Sequence, residues 1–305
     1  MKQQTSSTSQ WITFHVTEEW DQATVESILK GPLMISGRML NRLTRRKGIR
    51  LNGRSPWLKQ KVKTGDRLQV AVRPKEKSNV PSKPVPLEII YEDPDLMVID
   101  KPAGVAVHPV RKTDRHTLVH GILHVWRQRG YEATVRPVHR LDRWTSGLIL
   151  VAKNAYMHQL LDRKLRQKQI KRSYLAIVGK PLPEPEGTID QSIGRDPGHP
   201  TRRRVTPEGD RAVTHYRVLN QSAQGSLVQV ELETGRTHQI RVHFAYLGAP
   251  LLGDSLYGGD VHLIGRQALH SARLSFPHPL TGETMEFSSA LPPELARVAG
   301  QLQLT

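Results

Sequence analysis

The sequence predicts an α+β protein, a mixed, mostly antiparallel sheet domain preceded by a small basic α/β domain. Three observations predict it. A length of 305 residues is long for a single core. A proline-rich stretch, 73–86 (RPKEKSNVPSKPVP), separates two textures of sequence. Beyond it, apolar strand-like runs outnumber helical patterns and do not alternate with them regularly, which disfavours a doubly wound sheet. The expected division is a disordered tail over 1–10, a small basic domain over 11–73, a semi-rigid linker over 74–86 and the larger domain over 87–305.

In the small domain, residues 36–75 carry thirteen Lys or Arg against one acid, Asp66. Residues 38–47 read as a short helix with Leu40 and Leu43 inward and Arg38, Arg42, Arg45 and Arg46 outward. Gly48 is the expected left-handed residue at its end. Residues 49–51 alternate like a strand, Asn52-Gly53 is a strong hairpin signal, and residues 62–68 supply a second turn and a return strand. In the larger domain the expected strands are 87–91, 96–100, 147–152, 173–178, 213–219, 227–233 and 269–276. Helices fit 118–129, 155–167 and 238–247, with Asn154 and Thr237 as N-caps and Gly248 ending the third.

Composition narrows the function. The chain has 45 Lys plus Arg against 28 Asp plus Glu, a formal net charge of +17. Charge of that size favours a polyanionic partner over a merely solubilising surface. With no cysteine, thiolate nucleophiles, disulfides and zinc fingers are excluded. No run has the length of a membrane span, and no signal-peptide stretch opens the chain. A cytoplasmic location is therefore expected. P-loop, dinucleotide-binding and nucleophile-elbow motifs are absent. His116, His120 and His124 are spaced four apart, which predicts one helix face. No acid completes a metal set, so an RNA-facing or surface stripe is the expected reading.

The richest segment is HRLDRWTSGLILV, 139–151, where a charged loop runs into an apolar strand. It places Asp142 at a strand mouth with cations beside it, equally consistent with a working carboxylate and a simple ion pair. Three further segments join loop to element: KPAGVAVHP (101–109), KRSYLAIV (171–178) and TGRTHQIRVH (234–243). The last puts Arg241 in the first turn of a helix.

These blocks resemble the RluA-type pseudouridine synthases. HRLDRWTSGLILVAKN resembles that family's aspartate motif, KRSYLAIV its tyrosine motif and TGRTHQIRVH its arginine motif. KPAGVAVHP, LLGDSLYGG and LHSARLSFPHPLTGE resemble further blocks, and all six stand in the family's order between residues 87 and 293. RMLNRLTRRKGIRLNGRSPWLKQKVKTGDRL resembles the small RNA-binding domain first described in a small-subunit ribosomal protein. One departure stands out: Trp144 occupies a position where a polar or acidic residue is expected, and so bears on specificity more than on activity.

The resemblance implies isomerisation of uridine to pseudouridine in RNA, with ribosomal RNA the first choice of substrate, and with neither cofactor nor metal. It implies Asp142, Tyr174 and Arg241 as the catalytic set. Arg241 would orient the carboxylate, and Tyr174 would stack on the flipped base and assist proton loss from carbon 5. Arg140 would fill the space vacated by that base. Attack of Asp142 on the sugar and removal of a sugar proton both remain open, and both need an ionised carboxylate. Arg38, Arg42, Arg45 and Arg46 are the expected RNA contacts of the small domain, and Arg202-Arg203-Arg204 a candidate arm. The alternatives are a non-catalytic RNA-binding ribosome-assembly factor, a synthase acting on transfer RNA, and, far behind, a hydrolase using Ser146 with His139.

Overall fold

The computed structural model describes residues 10–109 and 114–304. The expected N-terminal tail lies outside them except for Gln10.

The small domain is built from β1 (Ile12–His15), α1 (Val25–Lys30), α2 (Gly37–Arg45), β2 (Ile49–Leu51) and β3 (Arg67–Val70), its strands in antiparallel order β1-β3-β2. α2 forms where expected because Met39, Leu40 and Leu43 share a buried face and Ser36 caps it, accepting from the Met39 N–H. Its end corrects the expectation. Lys47, not Gly48, takes the left-handed conformation, at φ 51. The Gly48 N–H then reaches the Leu43 carbonyl at 2.8 Å and Lys47 the Thr44 carbonyl at 3.2 Å, which is the Schellman arrangement. Space at 48 is tight, since a Cβ there would stand 3.0 Å from Leu43 Cδ2. Asn52 and Gly53 both have positive φ and form the tight turn, with Leu51 and Arg54 exchanging backbone hydrogen bonds. The strand that returns along β2 is nevertheless β3. The Asn52 side chain bridges the gap, accepting from the Arg67 N–H and donating to Asp66.

The linker is strapped to both domains. Glu76 accepts from Arg42 and from Arg136, and Val85 lies over Gly121, where any Cβ would come within 2.8 Å.

The larger domain runs β4 (Glu88–Glu92), β5 (Leu96–Lys101), α3 (Leu118–Gln128), β6 (Arg136–Pro137), β7 (Ser146–Ala152), α4 (Ala155–Arg166), β8 (Lys171–Val178), β9 (Glu186–Asp190), β10 (Ile193–Arg195), β11 (Arg203–Val205), β12 (Val213–Ser222), β13 (Gly225–Leu232), α5 (Gln239–Tyr246), β14 (Leu269–Pro277), β15 (Thr284–Ser288) and α6 (Pro293–Gln301). The main sheet is ordered β4-β5-β7-β14-β8-β13-β12-β9, with β15 beside β14 and β6 beside β7. Only β7 and β14 pair in parallel among the described strands, so the sheet is mixed and mostly antiparallel, as the strand pattern predicts. Alternation decides which face each residue covers. Met97, Ile99, Ile149 and Val151 face α3 and α5, while Leu96, Val98, Leu148 and Leu150 face α4. Six strands and two helices escaped the pattern. β1, β6, β9, β10, β11 and β15 are short and half-exposed, and α1 and α6 are short helices, of six and nine residues.

Two further expectations are corrected. Thr237 does not cap α5. His238 precedes the helix at φ 58, in the left-handed region, with no side-chain cap. The histidine stripe also fails. His116 lies before α3, and His120 is core, hydrogen-bonded to Thr117 Oγ1 at 2.7 Å. Position 120 fell on the inner face because Leu118, Ile122 and Leu123 set the direction of burial.

The two parts share one apolar cluster. Tyr156 and Leu160 of α4 pack among Leu29, Leu33, Ile35 and Leu40. The Tyr156 hydroxyl donates to the Leu33 carbonyl at 2.7 Å, and Gln159 grips Met34 and Ser36.

Candidate active site

The site forms where two sharp loops meet the start of β7. Gly147 has φ 108, and a Cβ there would lie 2.3 Å from the Ser271 carbonyl oxygen. Only glycine permits this close approach of β7 to β14. It aims the preceding segment, 139–145, out of the sheet, with Asp142 at its tip and the Thr145 N–H closing a turn onto the Asp142 carbonyl.

Three expected residues converge. The Asp142 side chain is 17% exposed, and its Oδ2 accepts from Arg241 Nη1 at 3.1 Å. Tyr174, on β8, is buried; burial pushes its phenol up, the Arg172 guanidinium partly opposes that, and the Asp142 charge adds to it. Tyr174 therefore stands neutral within reach of the Asp142 field. Arg140 is exposed beside the loop. In the small domain Arg38, Arg45 and Arg46 are exposed, whereas Arg42 is half-buried against Glu76.

Sequence reasoning missed the residues that hold this set. Asp254, buried, clamps Arg241 with two hydrogen bonds, 2.7 Å to Nε and 2.8 Å to Nη2. Burial pulls the Arg241 guanidinium down, but the hydrogen bonds and charges of Asp254 and Asp142 together outweigh it and the net direction is up. Arg241 thus stays charged, with one nitrogen left for Asp142. The Tyr257 ring lies under that guanidinium, 4.9 Å from centroid to Cζ. Its hydroxyl meets His238 Nδ1 at 2.8 Å and accepts from the Arg203 N–H, so the arginine arm 202–204 is tied to the site through its backbone. His238 Nε2 lies 3.8 Å from Asp142 Oδ2; burial lowers its pKa, and Asp142 works against that.

Two buried cations fix the loop. Lys101 donates to the carbonyls of Pro102, Val105 and Arg143. Burial pulls it down to about 7, against the opposing charge of Asp142. Arg266 donates to the Trp144 carbonyl at 3.0 Å and pairs with Glu294. Asp254, Tyr257, His238 and Lys101 all lie inside the blocks that carry the resemblance, so block membership was the available signal; Arg266 lies outside them. The hydrolase pairing is not formed. Ser146 is buried and bonds His270 Nδ1 at 2.9 Å, while His139 Nε2 accepts from the Leu150 N–H. Among the described residues no group of His, Asp and Glu is arranged to hold a metal, and no helix is long and apolar enough to cross a membrane.

An acid oriented by a clamped arginine, beside a buried phenol and an exposed arginine, suits chemistry on a base drawn out of its stack. Comparison with known proteins agrees. Residues 95–246 match the family described as RNA pseudouridylate synthase. Residues 12–68 match the RluD ribosomal pseudouridine synthase N-terminal domain. The chain is 42% identical to the uncharacterized RNA pseudouridine synthase YhcT of Bacillus subtilis over 92% of its own length and 93% of that protein's. It is 39% identical to ribosomal large subunit pseudouridine synthase D of Nitrosomonas europaea, over 82% and 75%. The solved structure of human RNA pseudouridylate synthase domain containing 4 superposes with a TM-score of 0.59 at 25% identity, covering 72% of this chain and 94% of that one.

Proposed function

This chain belongs to the RNA pseudouridine synthases, isomerases that act on RNA, and we propose that it modifies uridine in ribosomal RNA in the cytoplasm, with Asp142 as the reacting carboxylate. In this isomerisation the bond from the sugar to N1 breaks, the uracil turns, and a bond from the same sugar carbon to C5 forms. A proton leaves C5, and N1 gains one. No group is added or lost.

The observation that carries the assignment is the Asp142–Arg241–Asp254 chain. Two of the arginine's nitrogens are committed to a buried carboxylate, so the third presents one orientation of Asp142 to the substrate. Such preorganisation removes the need to reorganise charge during the reaction. In this reading Tyr174, buried and neutral, supplies an aromatic wall for the uracil, and Arg140, which is exposed, is the side chain that enters the stack as the base leaves. The ribosomal substrate rests on the N-terminal match and on the name of the Nitrosomonas relative.

Tritium release from 5-tritiated uridine tests the reading. A transcript of bacterial large-subunit ribosomal RNA is expected to lose tritium with the wild type and not with Asp142→Asn. Equal release from both overturns the role of Asp142. Release from transfer RNA transcripts alone overturns the ribosomal substrate.

A further inference from the structure

Trp144 is half exposed, at 50%, two residues from the proposed reacting carboxylate. The Asp142–Thr145 turn that carries it is held by bonds that do not involve the indole. Carbonyls 142, 143 and 144 accept from the Thr145 N–H, Lys101 Nζ and Arg266 Nη1. Arg143 Nε donates to the Gly104 carbonyl at 2.9 Å. The indole's six-membered ring rests against Gly104, where an added Cβ would be 3.1 Å from Cζ3, 3.7 Å from Cε3 and 3.6 Å from Cη2. A side chain at 104 would push the ring away; φ 84 at this glycine keeps one out.

The ring is therefore placed rather than loose, and half of it faces solvent. Its neighbour there is cationic: the exposed Arg143, with its guanidinium 5.8 Å from the ring centroid. A fixed aromatic face with a guanidinium beside it matches a nucleobase, whose π-face stacks on the indole while its phosphate meets the arginine. An apolar protein partner would leave that charge desolvated.

We propose that the exposed face of Trp144 is a stacking platform for the unpaired nucleobase adjacent to the target uridine. The proposal rests on the synthase reading for the identity of that uridine. At most ~7 Å of chain separates the α-carbons of Asp142 and Trp144, which suits the immediate neighbour rather than a distant base. A base held in a duplex cannot reach the platform, so the chain selects uridines whose neighbour is free to leave its stack, and a purine there gives the larger overlap.

The test uses the full chain and a single-stranded RNA heptamer with a central uridine and 2-aminopurine beside it, on the 5′ side in one oligonucleotide and the 3′ side in another. With the wild type, 2-aminopurine fluorescence is quenched for at least one of the two. Trp144→Ala is expected to abolish that quench and weaken heptamer binding about 5- to 30-fold, and Trp144→Phe to restore most of both. In tritium release from the ribosomal transcript, the change in Trp144→Ala falls on KM rather than kcat. Equal quench and affinity in Trp144→Ala, or no quench by the wild type with either heptamer, overturns the platform. Wild-type quench that depends on Trp144, without tritium release from any RNA, overturns the synthase reading and leaves the platform standing.

Discussion

The support behind the Asp142 loop and the helix α2 both use arginine, and they treat it in opposite ways. Around Asp142 the guanidinium groups of Arg241 and Arg266 are buried and committed to named partners. On α2, Arg38, Arg45 and Arg46 stand in solvent. The difference fits the roles proposed for the two regions. Chemistry on one atom needs a single geometry, which buried paired charges specify and hydrated ones do not. Holding a phosphate backbone needs charge that can follow an irregular ligand, and its strength comes from released counterions rather than from a fixed angle. Arg42 is the informative exception. It sits on the exposed type of helix yet bonds Glu76 of the linker, so it belongs with the structural cations.

The sharpest way to break this comparison is at the carboxylate. Asp142→Asn is expected to cut tritium release by more than about 1,000-fold while RNA affinity, measured by filter binding, moves little. Retained release with lost affinity would make Asp142 a binding group. Next is the clamp. Asp254→Asn leaves Arg241 buried and half-partnered, so kcat is expected to fall about 100-fold and stability, by urea denaturation, to drop by about 3 kcal/mol. An unchanged kcat would show that Asp142 does not depend on the clamp.

A third test uses pH. Lys101 has a folded pKa near 7, below the ~10.4 of an unfolded lysine. Between those values the unfolded chain binds the extra proton, so this residue makes stability rise from about pH 7 to pH 10 and adds no slope below pH 7. Lys101→Met is expected to flatten that rise in urea denaturation; an identical slope would mean the buried amine is not titrating there. In the exposed region, Arg45→Ala with Arg46→Ala is expected to lower the slope of log affinity against log salt by about two, the loss appearing in KM. The smallest effect is expected for Arg42→Ala, with a salt slope lowered by less than about 0.5. A drop equal to that of Arg45→Ala would return Arg42 to the RNA surface.

Much of this site was legible because its blocks keep residue type and order together. Asp142, Tyr174 and Arg241 lie in three of them, and the structure joins Asp142 to Arg241 across 99 residues of chain. Their supports were harder to read. Asp254 looks in sequence like any acid in a Gly-rich turn, and its importance comes only from burial against Arg241. Arg266 stands alone between loops and gains meaning from carbonyls contributed by distant residues. In the fold, the long apolar strands were read well because period-two burial marks them. The hairpins at β10–β11 and β14–β15 were missed because their outward faces are polar and their pairing is set by the chain on either side. The helix ends at Lys47 and His238 show a further limit. Left-handed residues there are chosen by the hydrogen bonds they allow, and composition pointed to a neighbouring residue instead.

The apolar seam between α4 and the small domain carries one more consequence. With Tyr156 and Leu160 embedded among Leu33 and Leu40, the small domain that carries the α2 arginines is packed onto α4 of the domain that carries Asp142. With α2 as the proposed phosphate grip and Asp142 as the proposed reacting group, the span between them would act as a ruler. Transcripts that keep the target loop but lengthen the adjoining stem by a few base pairs should be gripped as before and left unmodified.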